Sequence, residues 1–325
     1  MNLKLIRQRI FTCLVIGMSL ASSAMAQEYP NKPVHVIVPF AAGGGADVIA
    51  RIVAQRLSSA LGQPFVVENR SGASGNIGAD LVAKSPNDGY TLLFGGTNLS
   101  TNPSLYDNMT YNPLKDFAPI SQLTAAPYVL LVNPTMPAQN VKEFLALAKS
   151  APGKIAYGST GLGTPGQLAM ESIKAIGKVD ILHVPFNGST AMMTALVGGH
   201  VMAGFDNMLT AVPFVTSNRL RPLAVSGAKR SRALPDVPTI SESALPGFEA
   251  YIWQGVVAPA GTPRAILDKL QTTIAREMNT AEMRERMAGL GVEIIASTPQ
   301  DFAAFLKRDT ERYAEIIRFS GAKLR

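Results

Sequence analysis

Two rhythms of apolar and polar positions alternate along this chain, and the switch between them keeps the same form. Val34, Val36 and Val38, with Ile37 among them, make a short run of β-branched residues suited to a buried strand. Pro39 ends the run, and Ala41-Ala42-Gly43-Gly44-Gly45 lets the backbone turn with almost no side chain in the way. From Ala46 onward Val48, Ile49, Ile52, Val53 and Leu57 recur at helical spacing, so the pattern predicts strand, glycine turn, helix. Residues 64–68 repeat the strand, 69–76 the small-residue turn, and Ala79, Leu81, Val82 and Ala83 the helix. After the turn Asn87-Asp88-Gly89, a third strand over 90–94 runs into Gly95-Gly96-Thr97-Asn98. Three such units predict a parallel, doubly wound sheet, whose ligands sit beyond the carboxyl ends of the strands.

The second half reuses the device. Apolar segments over 117–123 and 128–132 are separated by Ala125-Ala126-Pro127, which reads as the passage into another domain. A helix over 141–148 precedes a strand over 155–157, the glycine turn Gly158-Ser159-Thr160-Gly161-Leu162-Gly163-Thr164, and a helix over 167–176. Strands over 181–185, 201–205 and 220–225 follow, with a helix over 191–197 after the first of them. Residues 235–247 read as a loop, and 251–258, carrying the only tryptophan, Trp253, as a strand returning to the first domain. Pro263 sits at the first position of a helix to Met278, and two more amphipathic helices cover 281–290 and 299–319. The expected division is 27–125 plus 252–325 for the first lobe and 126–251 for the second.

Composition and charge add an address. Lys4, Arg7 and Arg9 precede an apolar run over 10–20, and Ala24-Met25-Ala26 supplies the small residues that signal peptidase requires. Residues 1–26 are therefore expected to be a cleaved signal peptide, with Gln27 as the new N-terminus and export from the cytoplasm. The run is shorter than the ~20 residues of a membrane span. Cys13 lies inside it, so the mature chain has no thiol for disulfides or nucleophilic chemistry. Removing three basic residues takes the formal charge from +7 to +4. The remaining basic residues are scattered, with no aromatic-laced basic patch, so no nucleic-acid partner is expected. The mature length exceeds one ordinary core and predicts two domains.

Among candidate chemistries, the turn at 41–45 is the most direct. A helix that begins just after a strand points free N–H groups, and the positive end of its dipole, into the space beyond the sheet. That arrangement seats an anion, carboxylate as well as phosphate; a tight turn that binds nothing is the other reading. No Lys-Ser or Lys-Thr follows the glycines, so a phosphate-loop NTPase is not indicated. Gly161-Leu162-Gly163-Thr164-Pro165-Gly166 matches a dinucleotide fingerprint, but the next strand ends in His183-Val184-Pro185 and lacks the acidic residue that would hold a ribose. Ser159 is not in a nucleophile elbow, and His35, His183 and His200 offer no zinc-binding pair at i, i+4. Asp47 reads as structural, favouring the helix start and spaced for a salt bridge with Arg51. Asp206-Asn207 reads equally as an acceptor for a ligand or as an Asx turn opening the next helix.

Taken together, several stretches resemble the Bug-type periplasmic binding proteins of tripartite tricarboxylate transporters. The resemblance rests on Pro39-Phe40-Ala41-Ala42-Gly43-Gly44-Gly45-Ala46-Asp47, on residues 67–78 (VENRSGASGNIG), on Asp88-Gly89-Tyr90-Thr91-Leu92, Tyr157-Gly158-Ser159, His183-Val184-Pro185-Phe186-Asn187-Gly188-Ser189 and Leu234-Pro235-Asp236-Val237-Pro238-Thr239. It covers nearly the whole mature chain. It implies a two-lobed α/β flytrap, each lobe a mostly parallel sheet flanked by helices, which captures a small organic carboxylate for the membrane permease subunits of a transporter. The implied contacts are Phe40, Ala41, Ala42, Gly43 and Gly44 in one loop, and Ser159, Thr160, Gly161 and Gly163 in the other. Thr97, Phe186 and Asp206 would line the cleft. Gln167 stands where the family often has histidine, and Phe186-Asn187 where it often has Tyr-Lys. A monomer without cofactor, metal or enzymatic activity is expected. A ligand-sensing subunit of a signalling system and an exported hydrolase are the competing readings.

Overall fold

Two long strands carry the polypeptide from one half of the molecule to the other. The computed structural model describes residues 29–320, so the expected signal peptide lies outside the described residues. Strand β4 (Phe117–Val132) runs antiparallel to β9 (Tyr251–Pro259), from Phe117 opposite Pro259 to Pro127 opposite Tyr251. Its last five residues leave β9 and pair with β7 (Ala203–Asn207), beginning with Tyr128 opposite Asn207, while β8 (Arg221–Val225) takes the other edge. Ala125-Ala126-Pro127, expected as a break, is therefore the interior of one strand. Pro127 is tolerated because its missing N–H falls where one ladder ends and the next begins.

In the first half, β2 (Phe65–Asn69), β1 (Val34–Val38) and β3 (Thr91–Gly96) are parallel in that order, and β9 runs antiparallel to β3. A two-residue strand, β10 (Glu293–Ile294), pairs with Ala125 and Thr124 of β4. In the second half, β5 (Ala156–Ser159) lies between β6 (Leu182–Pro185) and β7, parallel to both. The outer strands are thus parallel, as the strand–turn–helix pattern requires, and the crossing strands that join the halves are antiparallel.

Helices α1 (Gly45–Leu61), α2 (Asn76–Ala83) and α3 (Asn98–Leu105) follow the first three strands. The second half adds α4 (Val141–Ser150), α5 (Pro165–Gly177), α6 (Ser189–Val197), α7 (Met208–Thr216) and α8 (Ile240–Ser243). The chain ends in α9 (Arg264–Met278), α10 (Ala281–Gly289) and α11 (Pro299–Ser320). Helix α8 lies in the stretch expected as loop. The Thr239 hydroxyl accepts from the Glu242 N–H and the Glu242 carboxylate accepts from the Thr239 N–H, a capping box spelled Thr-x-x-Glu.

Each sheet is buried on both faces. Val34, Val36 and Val38 pack with Ile49, Val53 and Leu57 of α1, while Ile37 and Leu93 face Trp253 and Phe302 on the other side. In β4 the alternation continues: Tyr128, Leu130 and Val132 join one cluster, Val129 and Leu131 another. Helix α11 also spans the halves, since its Tyr313 and Ile317 pack with Leu105 of α3 and Leu168 of α5.

Candidate functional site

The first glycine turn is held from behind. Gly43 takes φ +79°, a backbone that side chains disfavour, whereas Gly44 is extended at φ −77° and ψ 167° and stands as the cap of α1 with no side-chain bond. Val48 N–H donates to Gly44 O at 3.1 Å, so the N–H groups of Gly45, Ala46 and Asp47 have no intrahelical acceptor. Asp47 is buried and is held by three residues: Oδ2 accepts from Gly43 N and Arg51 Nε, both at 3.0 Å, while Oδ1 accepts from Asn69 Nδ2 at 2.9 Å and pairs with Arg51 Nη2 at 3.0 Å. Asn69 also donates to Phe40 O. Burial pushes the Asp47 carboxyl upward, but its bonds from Arg51, Gly43 and Asn69 outweigh that and hold it below the usual carboxylate range. The Gly43 N–H is therefore already engaged, and the donors left open are those of the first turn of α1. Phe40 is half-buried; Ala41, Ala42 and Gly43 are exposed.

The second turn is held from below by a chain of polar side chains. Gln167 Oε1 accepts from Gly163 N, which turns the Gln167 amide nitrogen toward His183 Nδ1 at 3.2 Å. Nδ1 must then be the acceptor, so the ring's Nε2–H donates to Ser159 Oγ at 2.7 Å, and Ser159 donates on to Gly161 O at 2.9 Å. Burial lowers the His183 pKa below its ordinary value, in keeping with a neutral ring. Tyr157 stacks on that ring and donates to Glu171. Ser159 is fully buried and receives a proton donor, so the Ser159–His183 pair lacks the geometry of a nucleophile and base. Gly161 and Gly163 both take positive φ, Thr160 is half-buried, and Phe186 N–H closes the turn onto Ser159 O at 3.0 Å. The Phe186 ring lies against Gly158, where an added Cβ would approach it to 3.2 Å.

Between the turns, Thr97 is buried and its hydroxyl accepts from Trp253 N at 3.1 Å, tying the end of β3 to β9. Beside it Asn98 holds Gly96 N with its Oδ1, while its buried Nδ2 has no partner. Asp206 ends β7 fully buried: Oδ1 accepts from Asn207 N and Nδ2, Oδ2 has no partner, and burial raises its pKa. Asn207 Oδ1 accepts from Thr210 N, so the Asx turn opening α7 is present.

The two halves touch across the mouth. Ser74 Oγ donates to Leu162 O at 3.1 Å, and Tyr106 Oη donates to Ser74 Oγ. A Cβ on Gly45 would lie 3.1 Å from Asn207 Oδ1 and 3.3 Å from Leu209 Cδ2. Ser74, Asn98 and Leu209 were missed as candidates from the sequence. Ser74 and Asn98 had a signal, since each sits in a small-residue turn after a strand; Leu209 had none. Among the described residues no group of three or more His, Cys, Asp or Glu could hold a metal, and no helix is long and apolar enough to cross a membrane.

Residues 49–321 match the family profile TctC, described as the tripartite tricarboxylate transporter family receptor. The chain belongs to this receptor family. Protein BugT of Bordetella pertussis is 36% identical over 318 residues, which is 96% of this chain and 98% of that one. Among solved structures, R. palustris Rpa4515 with adipate is 37% identical with a TM-score of 0.88, over 90% of this chain and 99% of that one. MatC from Rhodopseudomonas palustris with bound malate is 31% identical with a TM-score of 0.83, over 89% and 100%. Periplasmic binding protein BugD gives 35% and 0.85, over 91% and 99%. The fold is the two-lobed one of periplasmic binding proteins. As a TctC receptor the chain is a binding protein rather than an enzyme.

Proposed function

We propose that this TctC receptor is a periplasmic solute-binding protein that closes two lobes on a small organic carboxylate and presents it to membrane permease subunits. One observation carries the reading: the starts of α1 and α5 open from braced glycine turns on opposite halves, and the mouth between the halves is bridged by Ser74 and Leu162. Two dipole ends and their amides suit the two ends of a dicarboxylate, or one carboxylate and its polar tail, without an arginine clamp. The adipate and malate in the two related structures are of this class. Residues 40–44 and 159–163 are the proposed contacts, with Thr97, Phe186 and Asp206 around them. The partner switch of β4 after Pro127 favours lobes of 27–125 plus 252–325 and of 126–251. The basic, then apolar, start of the chain supports export.

The test uses protein recovered from the periplasmic fraction, expected to begin at Gln27, and calorimetric titration with adipate, malate and a panel of mono-, di- and tricarboxylates. At Gly44 an added Cβ would meet only Ala41 O, at 3.5 Å, and φ is negative, so neither alanine nor aspartate strains the turn. Charge-assisted hydrogen bonds are worth roughly 1.5–3 kcal/mol each. Gly44→Asp, which puts its own carboxylate at the helix start, should therefore weaken the ligand about a hundredfold or more, and Gly44→Ala only a few-fold. Melting temperatures of the unliganded variants should agree. Full affinity in the aspartate variant would remove this turn from the site, and silence across the whole panel would reject a carboxylate ligand. An unprocessed chain held in the membrane would reject the periplasmic address.

A further inference from the structure

A cavity of about 340 Å³ opens where β4, β9, β10 and α11 meet, and none of the proposed cleft residues lines it. Its walls carry charges of opposite sign on different elements. Glu249, just before β9, and Glu293, in β10, are acidic and exposed; Arg308 and Arg312, one turn apart on α11, are basic. Neither glutamate nor Arg308 is in a salt bridge within 4 Å among the described residues, although Glu249 interacts with the Tyr251 hydroxyl and, at longer range, with Arg312. Arg312 is fixed in place, since Asp309 Oδ1 accepts from its Nε at 3.2 Å and Nη2 at 2.8 Å. Asp309 is itself buried and satisfied, with Trp253 Nε1 donating to its other oxygen at 2.8 Å.

Gln122 forms part of the lining and is only 7% exposed, yet its side-chain amide makes no hydrogen bond among the described residues. Its amide atoms are not sealed from the cavity, so they are open to a polar guest there. The lining also includes the aromatic Trp253, Phe305 and Tyr251. We propose that this cavity is a second small-molecule site, taking a short zwitterion whose ammonium faces Glu249 and Glu293 and whose carboxylate faces Arg308 and Arg312. An apolar chain of roughly three to six carbons joins the two ends across the aromatic surface, in keeping with a pocket at the small end of the usual range. The ligand class is therefore an ω-amino acid. A dicarboxylate of the kind proposed for the cleft is disfavoured here, because its second anion would face the two glutamates.

The probes are 4-aminobutanoate and 6-aminohexanoate, titrated calorimetrically into the full mature protein, with butanoate and butylamine as single-charge controls. The zwitterions should bind at least tenfold tighter than either control. Glu293→Gln and Arg308→Gln change exposed side chains outside the core, and each should weaken the zwitterion about tenfold or more while leaving carboxylate binding in the cleft unchanged. Gly44→Asp should leave zwitterion binding intact, which separates this proposal from the cleft reading. No heat with either ω-amino acid at millimolar concentration would overturn the proposal. So would binding that survives both rim substitutions, or binding lost in Gly44→Asp, which would place the zwitterion in the cleft.

Discussion

At the residue scale, the expected pH response of the second turn lies in His183. Its ring is fixed between Gln167 and Ser159 as a neutral imidazole, and burial depresses its pKa. The unfolded chain takes up a proton near the ordinary value of about 6.5, while the folded chain resists until lower pH. Over that interval the unfolded state binds more protons, so stability rises with pH; the contribution is present above about 6.5 and is lost as pH falls through the depressed folded value. His183→Gln should abolish this slope. Denaturant unfolding at pH 7.5, 6.5 and 5.5 should show the stability difference between wild type and variant shrinking with acidity. A constant difference would mean that the ring is not neutral in the folded state. Asp206, whose raised carboxyl favours the folded state as pH falls, is common to both proteins and cancels.

At the scale of elements, three strand ends deliver small-residue turns toward one another, and the third makes the bridge. Ser74, at φ 53° in the turn after β2, reaches Leu162 in the turn after β5. If the bond forms only when the lobes close, Ser74→Ala should weaken carboxylate binding by a few-fold to about tenfold, the worth of a net hydrogen bond of ~0.5–1.5 kcal/mol. It should leave the melting temperature of the unliganded protein nearly unchanged. Unaltered affinity would show that the bridge contributes nothing to closure. The helix starts themselves are braced differently: by a carboxylate, Asp47, in the first lobe and by an amide, Gln167, in the second.

For the whole molecule, β4 and β9 are the two continuous strands at the crossing, and α11 lies over it with Tyr313 and Ile317 against α3 and α5. A strand that changes partners at one point, as β4 does after Pro127, can bend there while both sheets stay intact, the usual basis of hinge closure. Ligand held by the closed form alone should stabilise the protein by about 2.7 kcal/mol at a hundredfold excess over Kd. Small-angle scattering should then show a smaller radius of gyration with saturating ligand than without. The same radius in both conditions would reject closure and favour a cleft formed in advance.

Much of this protein is local, and what is local can be read from sequence. Val34 to Val38 is a strand because β-branched residues favour the pleat, Gly43 turns because its backbone is left-handed, and Asp47 meets Arg51 because four residues bring side chains together on a helix. The capping box at Thr239 and Glu242 is equally local and was legible, although the surrounding prolines read as loop. Tertiary structure decided the rest, because the partners lie far apart in the chain. Only folding brings Asn69 to Asp47, where its amide donates to the carboxylate that braces the first turn, and only folding sets His183 between Ser159 and Gln167. The continuity of β4 through Pro127 depended on which strand stood beside it at each residue, and that neighbour comes from more than seventy positions away. Periodicity specifies which face of a strand is buried. It does not specify the partner, and the partners made both the mouth and the cavity beneath α11.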